Sequence, residues 1–542
     1  MRLTVNEKCF LLQTDANGMS TAKEHGLELW AGDAKPGSYT FFTAQRDRGG
    51  VRPVHNPYQV LPLFEHGDEA AKVALMDLYL AYHESRAPES ITLYEAAPGL
   101  QYAPYQSAAI FYALRRGQNV LFGDEPGLGK TVEAIGLARE RCQRRILVVV
   151  PAAVRLQWRK ELKRWYPELG KVSALLTGRD AFDPHADATI VSYNALQNKK
   201  LFAALMSETW DNLILDEAHF LKNHDAKRTR NALGNFSTGG GLVSRSASVT
   251  ALTGTPLPNR PAEIYPLARS LAWDCLDQMA HGAFLDRFNP AIYTPAGFPV
   301  YKTSNLVELQ ARIRSGFMCR RAKSDVLKDL PPKRYELTTV EPNGDIKRVI
   351  KAESLLNIDP EDPTTMLDEN GLIDGAIATV RREMGAAKVP SIVDHVSGLI
   401  EGGVEKVVLF LYHRDVVAAV VGHLRSFSPA VIQGGISPAR REREKARFIE
   451  DPNCRVFVGQ LLATGTGVDG LQHVCDRVVF GEADWVPGNN EQCVDRLHRY
   501  GQKGSVLAQF LVAPGSLDEK ILGSAIRKLQ AQNVALDKMV VA

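Results

Sequence analysis

The chain has 542 residues, 45% of them hydrophobic, and a formal net charge of +3 from 65 basic and 62 acidic side chains. This composition fits about three or four globular domains and excludes a disordered polymer, while a near-neutral balance neither requires nor opposes a nucleic-acid partner, since a local basic groove is enough. Seven cysteines with no C-x-x-C pair argue against a disulfide scaffold or a zinc site and suit a reducing, cytoplasmic setting.

In chain order, the opening residues MRLTVNEKCF lack the apolar core of a signal peptide. Leu3 and Val5 alternate with polar neighbours, and Leu27–Trp30 and Tyr39–Phe42 are further short strand candidates. Asp68 to Glu84 reads as a helix with Ala71, Leu75, Leu78 and Tyr82 on one face. Residues 1–98 are therefore expected to form a small α+β accessory domain, serving either as a structural cap or in DNA or partner recognition.

Residues 99–275 alternate strand and helix patterns, which predicts a parallel sheet covered on both faces. Asn119–Phe122 is a buried-strand candidate, and from Thr131 the spacing of Val132, Ile135 and Leu137 predicts a helix. Between them runs FGDEPGLGKT, residues 122 to 131. A glycine-rich turn between strand and helix leaves backbone N–H groups free for phosphate oxygens, assisted by the helix dipole. Asp124, Glu125, Gly127, Leu128, Gly129, Lys130 and Thr131 form the expected nucleotide-binding loop. Lys130 would bridge the terminal phosphates and Thr131 would hold Mg²⁺. The strict phosphate-loop pattern has glycine where this chain has Asp124. The second carboxylate motif, LILDEAH over 213–219, ends another apolar strand at Asn212–Leu215. Asp216 is placed to hold Mg²⁺ and Glu217 to orient or deprotonate the attacking water.

Residues 276–390 read as helical, with the basic segment Arg320–Lys323 and an exposed acidic loop at 359–363. Residues 391–525 return to strand–helix alternation, and 526–542 form a tail, read as part of a helix beginning at Asp518. The longest apolar run, Val407 to Val421, is interrupted by His413, Arg414 and Asp415 and is too short to cross a bilayer.

Further segments join the two motifs in a fixed order: Tyr105-Gln106, VVVPAAVRLQW (148–158), IVSYN (190–194), ALTGTPLPN (251–259), MCRRAKSDVLKDLPP (318–332), VVLFLYHR (407–414), ATGTGVDGLQ (463–472) and EQCVDRLHRYGQ (491–502). In this order they resemble superfamily 2 helicases, and specifically the Swi/Snf family of ATP-dependent DNA translocases. The stretch FGEADWVPGNNEQCVDRLHRYGQ is most similar to the HepA-related annealing-helicase branch. Pro126, Pro258 and the glycine spacing around 464–470 depart from the family pattern.

The resemblance implies an α/β architecture of two RecA-like lobes, 99–275 and 391–525, with a helical inter-lobe insertion at 276–390. It implies ATP and Mg²⁺ as cofactors. Gln106 would read adenine, Arg496 and Arg499 would act on the transferred phosphoryl group with Lys130 and Glu217, and Thr253, Gly254, Thr255 and Gln492 would couple nucleotide state to lobe closure. Arg155, Trp158, Lys222, Asn223, Arg320, Arg321, Lys323 and Thr464 fall in or beside segments that line the DNA groove, although core packing serves Trp158 equally well. The expected activity is ATP-driven movement on double-stranded or branched DNA by a monomer, with remodelling or re-annealing of that DNA and with replication or recombination proteins as further partners. The alternatives left open are a strand-separating helicase on DNA or RNA, the motor subunit of a nuclease system, and a non-hydrolysing scaffold. Compact length suggests a bacterial or phage protein, with the nucleus as the site in a eukaryote.

Overall fold

The computed structural model describes all residues except 26, 30–38, 48–49, 177–179, 258–259, 294–298, 342, 357–374, 465–467, 485–486, 521 and 523–542. Trp30, Pro258, Asn259, the 359–363 acidic loop, part of the 464–470 glycine stretch, Trp485 and nearly all of the expected C-terminal helix lie outside the described residues. The chain divides into two compact units. Among the described residues, one comprises Met1–Glu125 and Gly129–Val326; the other runs from Leu327 onward, with Pro126–Leu128.

The first unit opens with an antiparallel sheet of β1 (Arg2–Val5), β2 (Phe10–Thr14), β3 (Glu28–Leu29) and β4 (Tyr39–Phe42), ordered β1-β2-β4-β3, followed by the hairpin β5 (Ala44–Asp47) and β6 (Gly50–Pro53). The helix Glu69–Glu84 is capped by Asp68, whose carboxylate accepts the Ala71 N–H at 2.9 Å. Ala71, Leu75 and Tyr82 on its inner face are buried with Leu3, Phe10, Leu12 and Phe41. That core also takes Ala311 from the distant helix Leu306–Gly316. Two polar links reinforce the attachment: Tyr82 donates to Gln310 at 2.9 Å, and Asn56 donates to the buried Glu308 carboxylate at 3.0 Å. Glu308 also accepts from Arg287 and Arg312, so its charge is compensated inside the protein. Residues 1–98 thus pack against the helix Leu306–Gly316 of the same unit.

The main sheet of this unit contains β7 (Asn119–Phe122), β8 (Ile146–Val150), β9 (Val172–Ala174), β10 (Ala188–Ser192), β11 (Asn212–Asp216) and β12 (Val249–Leu252). After the hairpin of β13 (Ala291–Tyr293) and β14 (Pro299–Tyr301), β15 (Met318–Cys319) completes it. The order is β15-β7-β12-β11-β8-β10-β9, all parallel. Every residue of β8, β10 and β12 is buried, as continuous apolar strands covered on both faces require. Period-two alternation divides the side chains between two cores: Leu121, Leu147, Leu213 and Ala251 face one layer of helices, and Val120, Val148, Ile214 and Leu252 the other.

The second unit has its own parallel sheet, made of β16 (Lys333–Thr339), β17 (Val407–Leu411), β18 (Ala430–Ile432), β19 (Val456–Gln460), β20 (Arg477–Phe480) and β21 (Val506–Val512), ordered β16-β21-β20-β17-β19-β18. The expected α/β pair of parallel sheets is present, with the antiparallel N-terminal sheet. The described residues of the stretch 276–390 belong to both units. The stretch is divided at 326/327, and β15 and β16 are edge strands of the two sheets. The sequence conceals both strands, because β15 is two residues long beside charged neighbours and β16, KRYELTT, is mostly solvated.

Candidate ATP-hydrolysis site

Strand register builds the site. Cys319, Phe122, Leu252 and Asp216 are level across the adjacent strands β15, β7, β12 and β11. The residues that follow each strand therefore emerge along one edge: Arg320-Arg321, Gly123-Asp124, Thr253-Gly254 and Glu217. Ligands of open parallel sheets bind at this carboxyl-terminal edge.

The phosphate loop leaves β7 and enters the helix Lys130–Glu140. Gly127 (φ 96°) and Gly129 (φ 90°) adopt left-handed conformations that disfavour a side chain. A Cβ on Gly129 would also lie 2.5 Å from the Gln106 amide nitrogen, so Gln106 is seated directly against the loop. Gln106 also accepts the Ala103 N–H at 3.0 Å, which fixes its side chain at the start of the helix Pro104–Arg116. Lys130 donates to the Asp124 carbonyl at 2.7 Å. Burial lowers the pKa of its ammonium, against the raising influence of Glu217, Asp124, Glu133 and Asp216. Thr131 follows, half-buried, in the first helical turn.

The Asp124 carboxylate does not line this cradle. It is fully buried and accepts from the Arg321 backbone N–H and from its Nε, both at 3.0 Å. Glu125 accepts the Lys323 N–H at 2.7 Å, and Arg320 donates to the Gly123 and Gly254 carbonyls at 2.6 and 3.1 Å. The segment after β15 thus straps the loop to the TGT segment. Glu133 is fully buried in the first turn of the helix behind the loop, and burial, then the Asp124 charge, raise the pKa of its carboxyl well above its ordinary range. Sequence reading missed Glu133; the available signal was an acid one turn into an alanine-rich helix with apolar spacing.

At the end of β11, Asp216 receives the Trp158 indole N–H on Oδ2 at 2.7 Å and the Glu217 N–H on Oδ1 at 2.9 Å; its carbonyl accepts from the Tyr193 hydroxyl at 2.8 Å. Burial, and next the Glu217 charge, raise its pKa to about 6. Glu217 adopts φ 51°, ψ 51°, a left-handed conformation in a residue that is not glycine. His219 Nδ1 lies 3.2 Å from the Glu217 carboxylate and 3.1 Å from the Thr253 hydroxyl, which also accepts the Thr255 N–H at 3.1 Å. His219 thereby links the carboxylate motif to Thr253, a contact that the sequence reading left out.

The donors present fit Mg²⁺. Asp216 and Thr131 offer hard oxygen ligands, and each Asp216 carboxylate oxygen keeps a lone pair beyond its hydrogen bond. Among the described residues no group of three or more His, Cys, Asp or Glu gathers to hold a metal.

In the second unit, one carboxylate oxygen of Asp469 accepts from Arg496 at 3.4 Å and from Arg499. Gln492 is buried in the helix Pro487–Val494. Gln502 donates to the Cys475 and Leu497 carbonyls and accepts from Lys503 and Gly504, fixing the turn behind the arginines. Glu482 accepts the Tyr412 and His413 N–H groups at 2.8 and 3.0 Å and thus ties the ends of β20 and β17 together.

The expected DNA-groove residues divide. Arg320, Arg321, Lys323 and Trp158 are at most 5% exposed and make their polar contacts within the first unit. A cation reads as surface from sequence because burial needs a partner, and here Asp124 and main-chain carbonyls supply it. Arg155 bonds the Ala152 and Leu175 carbonyls at an open depression of about 600 Å³ that also involves Asn194 and Lys200. Lys222 pairs with Glu263 at 3.0 Å, and Asn223 is exposed. Thr464 ends the short helix Leu461–Thr464, and its side chain lies outside the described set. Arg159, Lys160, Lys163 and Arg164, which the motifs did not single out, form an exposed cationic face on the helix Arg155–Trp165.

Comparison with known proteins agrees with the motif order. The SNF2-related domain matches residues 80–366, more than half of the chain. A Bos taurus relative, "SWI/SNF-related matrix-associated actin-dependent regulator of chromatin subfamily A-like protein 1", is 32% identical over 438 residues, 78% of this chain and 44% of the relative. The Homo sapiens "DNA annealing helicase and endonuclease ZRANB3" is 27% identical over 453 residues, 80% of this chain and 40% of the relative. The chain thus spans less than half the length of these relatives. A solved structure, "Sulfolobus solfataricus SWI2/SNF2 ATPase core in complex with dsDNA", is similar over 83% of this chain and 100% of that one, at 19% identity and a TM-score of 0.39. On the family match and the ordered motifs, this chain belongs to the SNF2-related domain family.

Proposed function

We propose that the chain hydrolyses ATP to move on double-stranded or branched DNA and to remodel or re-anneal it. The observation that carries this reading is the level row of strand ends, which brings the Lys130 loop, Asp216, Glu217 and Thr253 to one edge of one sheet. Gln106 and the loop N–H groups would bind the nucleotide, and Lys130 would hold the terminal phosphates. Bound Mg²⁺, held by Asp216 and Thr131, would supply Lewis-acid stabilisation of phosphoryl charge. Glu217 would orient and deprotonate the attacking water, with His219 steadying its carboxylate. Arg496 and Arg499 would neutralise charge on the transferred phosphoryl group, an effect worth about 10³–10⁵ in rate in comparable enzymes.

DNA would be held through phosphates, which carry no sequence information and so suit a motor that crosses any sequence. Arg155, Lys222, Asn223 and the cationic face from Arg159 to Arg164 support this part of the reading. The name of one group of relatives, DNA annealing helicase, favours re-annealing over strand separation. The place of action follows the DNA: the nucleus of a eukaryotic cell or the cytoplasm of a bacterial one.

The test is steady-state ATP hydrolysis without nucleic acid and with duplex, single-stranded or fork DNA or RNA, with Lys130→Ala as the blank. Stimulation by duplex or fork DNA that vanishes in the variant is the expected result. Stimulation by single strands or RNA alone would replace the reading with strand separation. A rate equal to the blank under every condition would end the ATPase reading.

A further inference from the structure

We propose that Trp158 is a positioning residue for Asp216: its indole N–H fixes the orientation of the carboxylate that receives the metal–nucleotide complex. The inference rests on the ATPase reading and deepens it.

The geometry is specific. Trp158 is 2% exposed, and its N–H meets Asp216 Oδ2 at 2.7 Å. The carboxylate torsion of an aspartate is soft and roughly two-fold, so its plane is set by the hydrogen bonds its oxygens accept. Here the second oxygen is held by the Glu217 N–H at 2.9 Å, and the Asp216 carbonyl by Tyr193 at 2.8 Å. The plane of the group is therefore set from both sides. Each oxygen retains a lone pair for a cation, because an ionised carboxylate has about four acceptor sites. An indole N–H suits the task, being a donor with no acceptor, unable to ligate the ion itself.

The donor is also immobile. The Trp158 ring is packed in the same core layer as Val150, Leu162, Ile190 and Ile214. Its position is thus set by the helix and sheet, not by solvent. A residue so enclosed has no face to offer a DNA backbone, while the same helix presents Arg159, Lys160, Lys163 and Arg164 outward.

The decisive substitution is Trp158→Phe, which keeps a ring in the core and removes the donor. Three quantities are compared with the unaltered chain: the Mg²⁺ dependence of DNA-stimulated ATP hydrolysis, duplex DNA affinity without nucleotide, and the affinity for Mn²⁺ with ADP followed by electron paramagnetic resonance. The expected result is a half-saturating Mg²⁺ concentration about 3–10-fold higher, a matching loss of Mn²⁺ affinity, and DNA affinity within about twofold. These magnitudes are those of one lost hydrogen bond of ordinary net strength. Unchanged Mg²⁺ and Mn²⁺ dependence would overturn the proposal, and so would weakened DNA binding with metal dependence intact. If Trp158→Phe does not accumulate folded, the unaltered chain with ¹⁵N-labelled tryptophan decides, its six indole signals assigned through Trp→Phe variants at the other five positions. The Trp158 signal should be broadened by Mn²⁺·ADP and not by duplex DNA, and the reverse pattern overturns the assignment. An unaltered chain with no ATP hydrolysis would defeat the ATPase reading and this inference together, whereas an active chain with an indifferent Trp158→Phe variant defeats the inference alone.

Discussion

Glu217 and Asp216 are neighbours in sequence, yet the structure gives them different surroundings. Asp216 is tied down by Trp158 and Glu217 N–H groups, whereas the Glu217 side chain lies beside His219 and is partly open to solvent. Two adjacent carboxylates with separated environments can divide metal binding from proton transfer. Glu217→Gln should therefore retain ATP binding, measured with a fluorescent nucleotide, while turnover drops by about 10²–10⁴. Normal turnover in that variant would remove Glu217 from its role. The sequence made these two residues legible because an apolar strand ending in paired acids sets two charges at the rim of a buried sheet, where they need a cation or a proton-transfer task to be tolerated. It could not show Trp158 meeting Asp216, since the contact joins positions 58 residues apart.

At the level of elements, β15 and the strap after it changed the reading most. RRAK looks like a polyanion-binding run, and nothing local distinguishes a buried arginine from a surface one. Only the parallel pairing of β15 with β7 brings Arg321 to Asp124 and accounts for an aspartate at a position where the strict phosphate-loop pattern has glycine. Removing Arg321 would leave Asp124 charged and enclosed. Arg321→Ala is expected to cost about 3–5 kcal/mol in thermal or denaturant unfolding. Arg321→Lys should recover only part of this, because an ammonium lacks the planar fork that bonds the carboxylate and Cys319 at once. A substitution cost under about 1 kcal/mol would show that the strap is not a structural element. The central strands were readable because all-buried parallel strands appear as plain apolar runs; the edge strands β15 and β16 were not, because one is two residues long and the other is mostly solvated.

For the whole molecule, two compact units with separate cores should unfold with distinguishable transitions, and one buried acid marks the second. Glu353 accepts the Leu517 N–H at 2.7 Å, and burial, opposed by that bond and aided by the Asp518 charge, raises its pKa to about 7. The folded unit thus holds a proton that an unfolded glutamate, with a pKa of about 4.3, releases. Stability from this group is full at low pH and is lost as pH rises from about 4 through about 7. Glu353→Gln keeps an acceptor for Leu517 and removes the charge. At pH 8 the variant should be more stable by about 1–2 kcal/mol, less than the full pKa difference because solvent screens part of it, and the gap should narrow toward pH 5. Calorimetry at the two pH values checks this; an equal gap at both would assign the effect elsewhere. The DNA reading has its own whole-molecule signature: duplex affinity should fall steeply with salt in proportion to phosphates contacted.

The left-handed backbone at Glu217 has a consequence for how far this protein can be stabilised. A non-glycine residue there costs roughly 1–2 kcal/mol, and its charge also disfavours the ionised form of Asp216 beside it. Glu217→Gly would relax the backbone and remove that repulsion, so the inactive variant should melt a few degrees higher than the active protein. Screens that select only for heat resistance would then drift toward inactive sequences at this position. The fold then sits below its attainable stability at the residue proposed to activate water.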